Sequence, residues 1–176
     1  MSDAATEQKL ELLTDPVTGK IAPKVLWRPL RRLAGSVDRV TSAVATCLQD
    51  GDRTEWAVVL VTNRALVHGR ASKALPGEIW SSESADQSCD DVSVWSRGLD
   101  HIQSIDTAQL AVQHHRPGSG DESLTWTEAY QVGFLDGTVL DLPLFNSQAG
   151  GGEVAKPALA VLDTLVAQLD ARSTGG

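Results

Sequence analysis

Residues 55–68 read EWAVVLVTNRALVH, and this stretch decides the fold of the chain. Its first half, 56–61, is an unbroken apolar run rich in valine, which is typical of a buried strand. Asn63 lies at the centre of a short polar turn, and residues 65–68 return as an apolar partner. Two apolar runs joined by such a turn predict a β-hairpin.

A strand pattern precedes this hairpin. Residues 36–48 carry several β-branched side chains and lead to Asp50-Gly51-Asp52, a strong turn signal. The apolar positions of the run also match a helical period, so strand and helix are both open. We favour a strand because Gly35, Ser36 and the β-branched residues weaken a continuous helix.

Further strand patterns follow the hairpin. Residues 92–95 fit a short strand, and the apolar residues within 102–112 fit another strand or a bent pair. Residues 126–134 alternate well between apolar and polar. The turn Leu135-Asp136-Gly137-Thr138 suits a hairpin because Asp-Gly supplies positive φ angles, and 139–144 form the second arm.

The C-terminal segment predicts an amphipathic helix over residues 153–171. Its apolar side chains recur at intervals of three and four residues, while Asp163 and Asp170 face away. Pro157 fits the first turn of this helix. Because the apolar stripe must be buried, we expect the helix to rest on the sheet, in a mainly β protein of the α+β class.

The N-terminal segment, 1–35, reads as a lead-in with one short basic amphipathic helix at Lys24–Ala34. Pro29 interrupts that helix unless the helix begins there. Residues 18–20, TGK, end like a phosphate loop but lack the earlier glycine that such a loop needs. The leucines expected to share one face of the helix are Leu26, Leu30 and Leu33.

The order of about seven strands and a closing helix resembles the pleckstrin-homology-like (PH-like) fold. Residues 59–67, VLVTNRALV, are similar to the strand–turn–strand signature of its bacterial members. The resemblance covers 36–171 and implies a seven-stranded, partly open barrel of two antiparallel sheets, capped by the C-terminal helix. Residues 1–35 are then a lead-in and 172–176 a flexible tail.

The loop with which such domains bind phosphoinositides departs from the family pattern. Here it reads DGDRTE, residues 50–55, with three acids and one base. Acidic side chains repel a phosphorylated headgroup. We therefore do not expect lipid headgroup binding at this loop.

Length and charge narrow the classes of function. The chain has 176 residues, which suits one domain with its own core. Its formal net charge is −8, whereas nucleic-acid binders usually present an excess of Lys and Arg. The acidic N-terminus is unlike a signal peptide, and two cysteines agree with a reducing compartment. We expect a cytoplasmic protein that does not bind nucleic acid.

Residue types that often carry catalysis form no recognisable set. His114 and His115 are adjacent and would point to opposite faces of a strand, while His68 and His101 are far apart in sequence. The two cysteines lack the spacing of a zinc or redox site, and the acids after Cys89 would raise its thiol pKa. We expect no catalytic residue, no metal and no cofactor.

Two surface features are candidate contacts with a partner. One is the basic helix, which could touch an acidic partner or a membrane surface, or could simply pack on the sheet with its arginines solvated. The other is Ile79-Trp80 in the long polar loop 72–91; an exposed Trp often anchors an interface, but the segment could instead fold back over the core. The helix residues concerned are Trp27, Arg28, Arg31 and Arg32.

These expectations favour a non-catalytic protein-binding or scaffolding module over an enzyme. The alternative is an acidic immunity or inhibitor protein that covers a basic partner, which the charge of −8 supports through electrostatic steering. A further alternative is a peripheral membrane or small-ligand binder. Neither the partner protein nor the oligomeric state follows from the sequence.

Overall fold

The structure, a computed structural model, describes residues 12–114, 124–144 and 155–173. Within these ranges the chain is mainly β, with two antiparallel sheets, one preceding helix and one closing helix. The elements in chain order are α1 (Lys24–Ala34), β1 (Val40–Asp50), β2 (Arg53–Thr62), β3 (Ala65–Ala74), β4 (Asp91–Gly98), β5 (Ile102–His114), β6 (Leu124–Phe134), β7 (Val139–Leu142) and α2 (Ala155–Ser173).

The first sheet has the strand order β1-β2-β3-β4 and the second β5-β6-β7, so every strand pairs with its sequence neighbour within each sheet. The hairpin expected at 55–68 is confirmed, with Val61 paired to Leu66 across the turn. The ambiguous stretch at 36–48 is a short 3₁₀ turn, Val37–Arg39, followed by strand β1. The Asp-Gly hairpin joins β6 to β7, and Gly137 has φ 81°.

Strand β2 is apolar without interruption over residues 56–61 because both faces of this part are covered. Its side chains alternate between two hydrophobic clusters. Trp56, Val58 and Leu60 pack with α1, on what we call the outer face of the first sheet. Ala57, Val59 and Val61 pack on the inner face with residues of the second sheet and α2. The first sheet is therefore the middle layer of the molecule.

Helix α2 confirms the expected amphipathic C-terminal helix. Val161 and Leu165 are fully buried among residues of both sheets, including Leu140 and Leu142. The helix contacts β1, β2 and β7, so its apolar stripe rests on the sheets as expected. It ends two residues beyond the predicted 171, at Ser173, and the predicted start at 153 lies outside the described residues.

Helix α1 departs from the expected pattern in two respects. Pro29 lies inside the helix, which begins after Pro23. Pro29 is the sixth residue of the helix, so its missing N–H removes the intrahelical bond to the Val25 carbonyl, and the packing of the buried face holds the helix without it. Leu33 does not share the buried face, since it is 44% exposed. The buried stripe consists of Leu26, Leu30 and Ala34, spaced by four residues.

Other boundaries also moved. The long loop is 75–90 rather than 72–91, because β3 continues to Ala74 and β4 begins at Asp91. The region after β4 is a 3₁₀ turn, Leu99–His101, and then one long strand, β5, with register shifts near Ser104 and Thr107. Pairing to β3 lengthened β4 beyond the short apolar core that the sequence displays.

The expected barrel is found only in part. The described strands form two antiparallel sheets, but no ladder joins one sheet to the other across the described ranges, so they do not close into a barrel. Predictions that fall on 1–11, 115–123, 145–154 and 174–176 lie outside the described residues; these include part of the lead-in, the first two residues of the predicted C-terminal helix and the end of the tail. No helix in the described part of the chain is long and apolar enough to cross a membrane.

Candidate functional site

The turn before α1 has a structural role. The buried carboxylate of Asp15 accepts hydrogen bonds from the amide and hydroxyl of Thr18, both 2.7 Å, and from the Cys47 amide of β1 at 3.2 Å. The Lys20 ammonium lies 2.7 Å from the Glu83 carboxylate, which raises the lysine pKa. Residues 18–20, which resemble the end of a phosphate loop, therefore belong to a turn that connects the N-terminal segment to the sheet.

Helix α1 presents a basic face to solvent, defined by Lys24, Arg28, Arg31 and Arg32. All four side chains are exposed, and KVLWRPLRRLA contains no acidic residue. None of the four side chains forms an ion pair with another residue in the described ranges. An acidic chain therefore carries a concentrated patch of positive charge on one helix.

Part of this positive charge has a structural explanation. Arg31 and Arg32 lie in the last turn of α1, where cations interact favourably with the helix dipole. The Arg31 guanidinium also stands 6.0 Å from the centre of the Trp27 ring, at the outer limit of a cation–π contact. Lys24 and Arg28 lie outside the last turn, so the helix dipole does not explain their presence on this face.

Beside the basic face lies an apolar notch of about 20 Å³, room for roughly one methyl group. Its walls come from α1, from the segment before it, and from β1 and β2. The lining residues that α1 supplies are Trp27, Leu30, Arg31 and Ala34. Half-buried Trp27 thus belongs to both the basic face and the notch.

The segment 75–90 folds back over the core, the second of the two interpretations left open by the sequence. Trp80 is fully buried against Trp56 and other residues of the outer cluster, and Ile79 is half-buried. The Trp56 indole donates to the Trp80 carbonyl at 2.6 Å, and the Trp80 amide donates to the Thr54 hydroxyl at 3.1 Å. Trp80 is therefore out of reach of a partner in this fold.

A buried lysine holds this segment in place. Lys73, whose side chain is 8% exposed, donates to Asp86 at 2.7 Å, and to the hydroxyl and carbonyl of Ser88. The lysine and Ser88 together hold the pKa of the Asp86 carboxyl well below its usual range. Gln87 accepts a 2.9 Å bond from the Lys24 amide at the start of α1. Helix α1 and the acidic segment thus form one continuous outer layer.

The histidines whose side chains the structure describes lie at separate positions. No group of three or more His, Cys, Asp or Glu residues that could hold a metal occurs among the described residues. His68 is buried on the inner face of β3, and its Nδ1 has no hydrogen-bond partner in the described chain. Burial and, secondarily, Arg70 lower the His68 pKa to about 4. His101 is exposed, and His115 lies outside the described residues.

The cysteines are free thiols in partly buried positions. Burial and then the nearby Asp15 raise the pKa of the Cys47 thiol to about 12. A thiol with such a pKa holds almost no thiolate at neutral pH, and the thiolate is the nucleophile. The arrangement gives Cys47 a packing role on β1.

Comparisons with protein-family models, with curated proteins and with solved structures found no match to this chain.

Sequence reasoning missed two residues. His68 was one of four scattered histidines, although a polar side chain inside the run ALVHG signals an unusual strand position. Gly69 follows it, and a Cβ there would meet Leu26 of α1 at 2.9 Å. A glycine inside a strand often marks a close approach of another element, and this signal could have placed α1 on β3.

Proposed function

We propose that this protein is a non-catalytic, protein-binding module that docks an acidic segment of its partner on the basic face of α1. The observation that carries the proposal is the positive charge of that face, which forms no ion pair with the described residues, on a chain of net charge −8. Opposite charges steer association and raise its rate.

The packing of α1 supports this proposal. Leu26 and Leu30 are fully buried against the sheet, so the helix does not need to fold on binding. A helix already held by tertiary contacts loses little conformational entropy when a partner arrives. The notch beside Trp27 adds an apolar recess at the edge of the charged face, which suits a partner segment with one small apolar side chain among its acids.

We further propose that the architecture is PH-like. The 4 + 3 antiparallel strands followed by a helix support this likeness, although the sheets are not closed into a barrel. Under this proposal the acidic loop at 50–52 does not bind a lipid headgroup. The partner is instead recognised by helix α1, which lies on the outer face of the first sheet.

The proposal is tested with the full chain and a synthetic peptide of glutamates with one central alanine. Two-dimensional NMR should show shifts concentrated on α1, with an affinity that falls as salt is raised. The double variant Arg28→Glu/Arg32→Glu should weaken binding by about tenfold or more, since two attractions become repulsions.

The matched control reverses two exposed cations away from α1, in Arg64→Glu/Lys156→Glu. Equal weakening by both double variants would show that net charge rather than the face governs binding, and would refute the proposal. Failure of the peptide to bind, together with sedimentation of the protein on anionic vesicles, would favour the membrane-surface alternative instead.

A second candidate function is that of an acidic antagonist of a basic protein. It is favoured by the ordered 75–90 segment, whose exposed acids include Glu78, Glu83 and Asp90. A basic protein that binds the wild type and the α1 double variant equally, but loses affinity when these acids become amides, would establish this function over the first.

A further inference from the structure

A cavity of about 180 Å³ lies on the inner face of the first sheet, where β7 passes over β2 and β3. Ala57, His68 and Arg70 line it from the first sheet, and residues 139–141 and Leu144 line it from the second. Since neighbouring residues of a strand face opposite ways, this cavity is on the other side of the sheet from α1. It is independent of the basic face.

The size of the cavity sets the size of a ligand. An engineered apolar cavity of about 150 Å³ in another protein takes up benzene. The space here is therefore enough for a ring or a chain of about six carbons. Ala57, Leu140 and Leu144 are buried and supply apolar contact for such a body.

The polar residues that line the cavity determine which chemical group of a ligand can bind there. His68 is 7% exposed, and its Nδ1 lacks a hydrogen-bond partner in the described chain, whereas most buried polar atoms have one. With a pKa lowered to about 4 by burial and by Arg70, the imidazole is neutral at pH 7. A neutral imidazole offers one N–H donor and one acceptor, and a half-turn of the ring exchanges its two edges.

Arg70 supplies the positive charge in the lining of the cavity. Its Nη2 lies 3.6 Å from the Glu55 carboxylate, with which it forms an ion pair. A planar guanidinium matches a carboxylate well. Asp141 also lines the cavity, and together with Glu55 it repels a ligand that carries two or more negative charges.

We propose that this cavity binds a small monocarboxylate with an apolar body of about six carbons. The carboxylate accepts hydrogen bonds from Arg70 and His68, and the body lies against Ala57, Leu140 and Leu144. The unpartnered His68 Nδ1 is itself not accessible to solvent, so a half-turn of the ring is needed to bring it to the carboxylate.

The experiment uses hexanoate and benzoate as probes, with hexylamine and inorganic phosphate as comparators. The full chain, labelled with ¹⁵N-histidine, is titrated while the ring nitrogens of His68 are followed by NMR. We expect saturable shifts from both carboxylates and weaker effects from the amine and from phosphate. The variant Arg70→Gln should weaken carboxylate binding about tenfold, the value of one charge-assisted hydrogen bond.

Two controls keep the outcome decisive. Arg64→Gln removes an exposed arginine from the β2–β3 turn, away from the cavity wall, and should leave binding unchanged. Asp141→Asn is a substitution at an exposed residue that should tighten hexanoate binding about two- to threefold by removing a repulsion.

The proposal is overturned if neither carboxylate shifts His68 saturably. It also fails if hexylamine binds as well as hexanoate, which would indicate a merely apolar cavity, or if phosphate does, which would indicate an anion site without an apolar part. None of these results bears on the basic face of α1, so the two proposals fail separately.

Discussion

The substitution Gly69→Ala tests the contact that docks α1 on the sheet. A Cβ at this position would lie 2.9 Å from Leu26 Cδ1, 3.0 Å from Leu30 Cδ2 and 3.2 Å from Leu30 Cγ. Favourable contacts between carbon atoms lie near 3.5–4.0 Å, so the helix or its leucines must move.

The expected cost follows from two opposing effects. Overpacking of a close-packed core costs about 1–3 kcal/mol. Replacing a strand glycine also restricts the unfolded chain, which returns about 0.5–1 kcal/mol. We therefore expect Gly69→Ala to lower the free energy of unfolding by about 1–2 kcal/mol.

The assay is urea denaturation followed by tryptophan fluorescence, within a double-mutant cycle. Leu26→Val shortens the nearest side chain, so the double variant should be more stable than the sum of the single effects by about 0.5 kcal/mol or more. Gly133→Ala on β6 is the matched control, because its Cβ would meet only the small Ser104 side chain closely and should cost little. If the losses of stability caused by Gly69→Ala and Leu26→Val simply add in the double variant, the contact between position 69 and helix α1 does not explain the cost of Gly69→Ala.

Three further predictions follow from buried groups. The folded-state pKa of His68 lies below its usual value, so the unfolded state binds more protons and stability is lost as pH falls from about 6.5 towards 4. Between pH 7 and pH 5 this loss should be about 2 kcal/mol by denaturation, and largely absent in His68→Phe. Trp80→Ala should cost about 3–5 kcal/mol and expose residues 75–90 to hydrogen exchange, whereas Ile79→Ala should cost clearly less; equal costs would contradict the burial of Trp80. Iodoacetamide at pH 8 should label Cys47 slowly in the folded chain and quickly in urea, as measured by mass spectrometry; rapid labelling of the folded protein would show that its thiol is accessible and ionised.

The sequence predicted the secondary structure correctly where interactions between residues close in sequence determine it. The β2–β3 hairpin and the Asp-Gly turn before β7 follow from backbone preferences and apolar runs, and α2 follows from its periodic stripe. Boundaries such as the end of β3 at Ala74 were missed because pairing with β2 extends polar residues into the sheet.

The candidate contacts were predicted unevenly for a related reason. The basic face of α1 is visible in sequence, since charge and helical spacing are local properties. The sequence did not decide whether Trp80 is exposed or buried. The burial of a tryptophan in a polar loop depends on partners such as Thr54 and Trp56, which are more than twenty residues away.

By itself the sequence determined that this chain makes antiparallel hairpins closed by an amphipathic helix, because those choices depend on neighbours a few residues apart. Only the tertiary structure decided that both faces of the first sheet are covered, that α1 lies on Gly69, and that His68 and Arg70 line a cavity with Leu140 and Leu144. These features depend on side chains brought together from distant strands, and burial and altered pKa values exist only once that packing has formed.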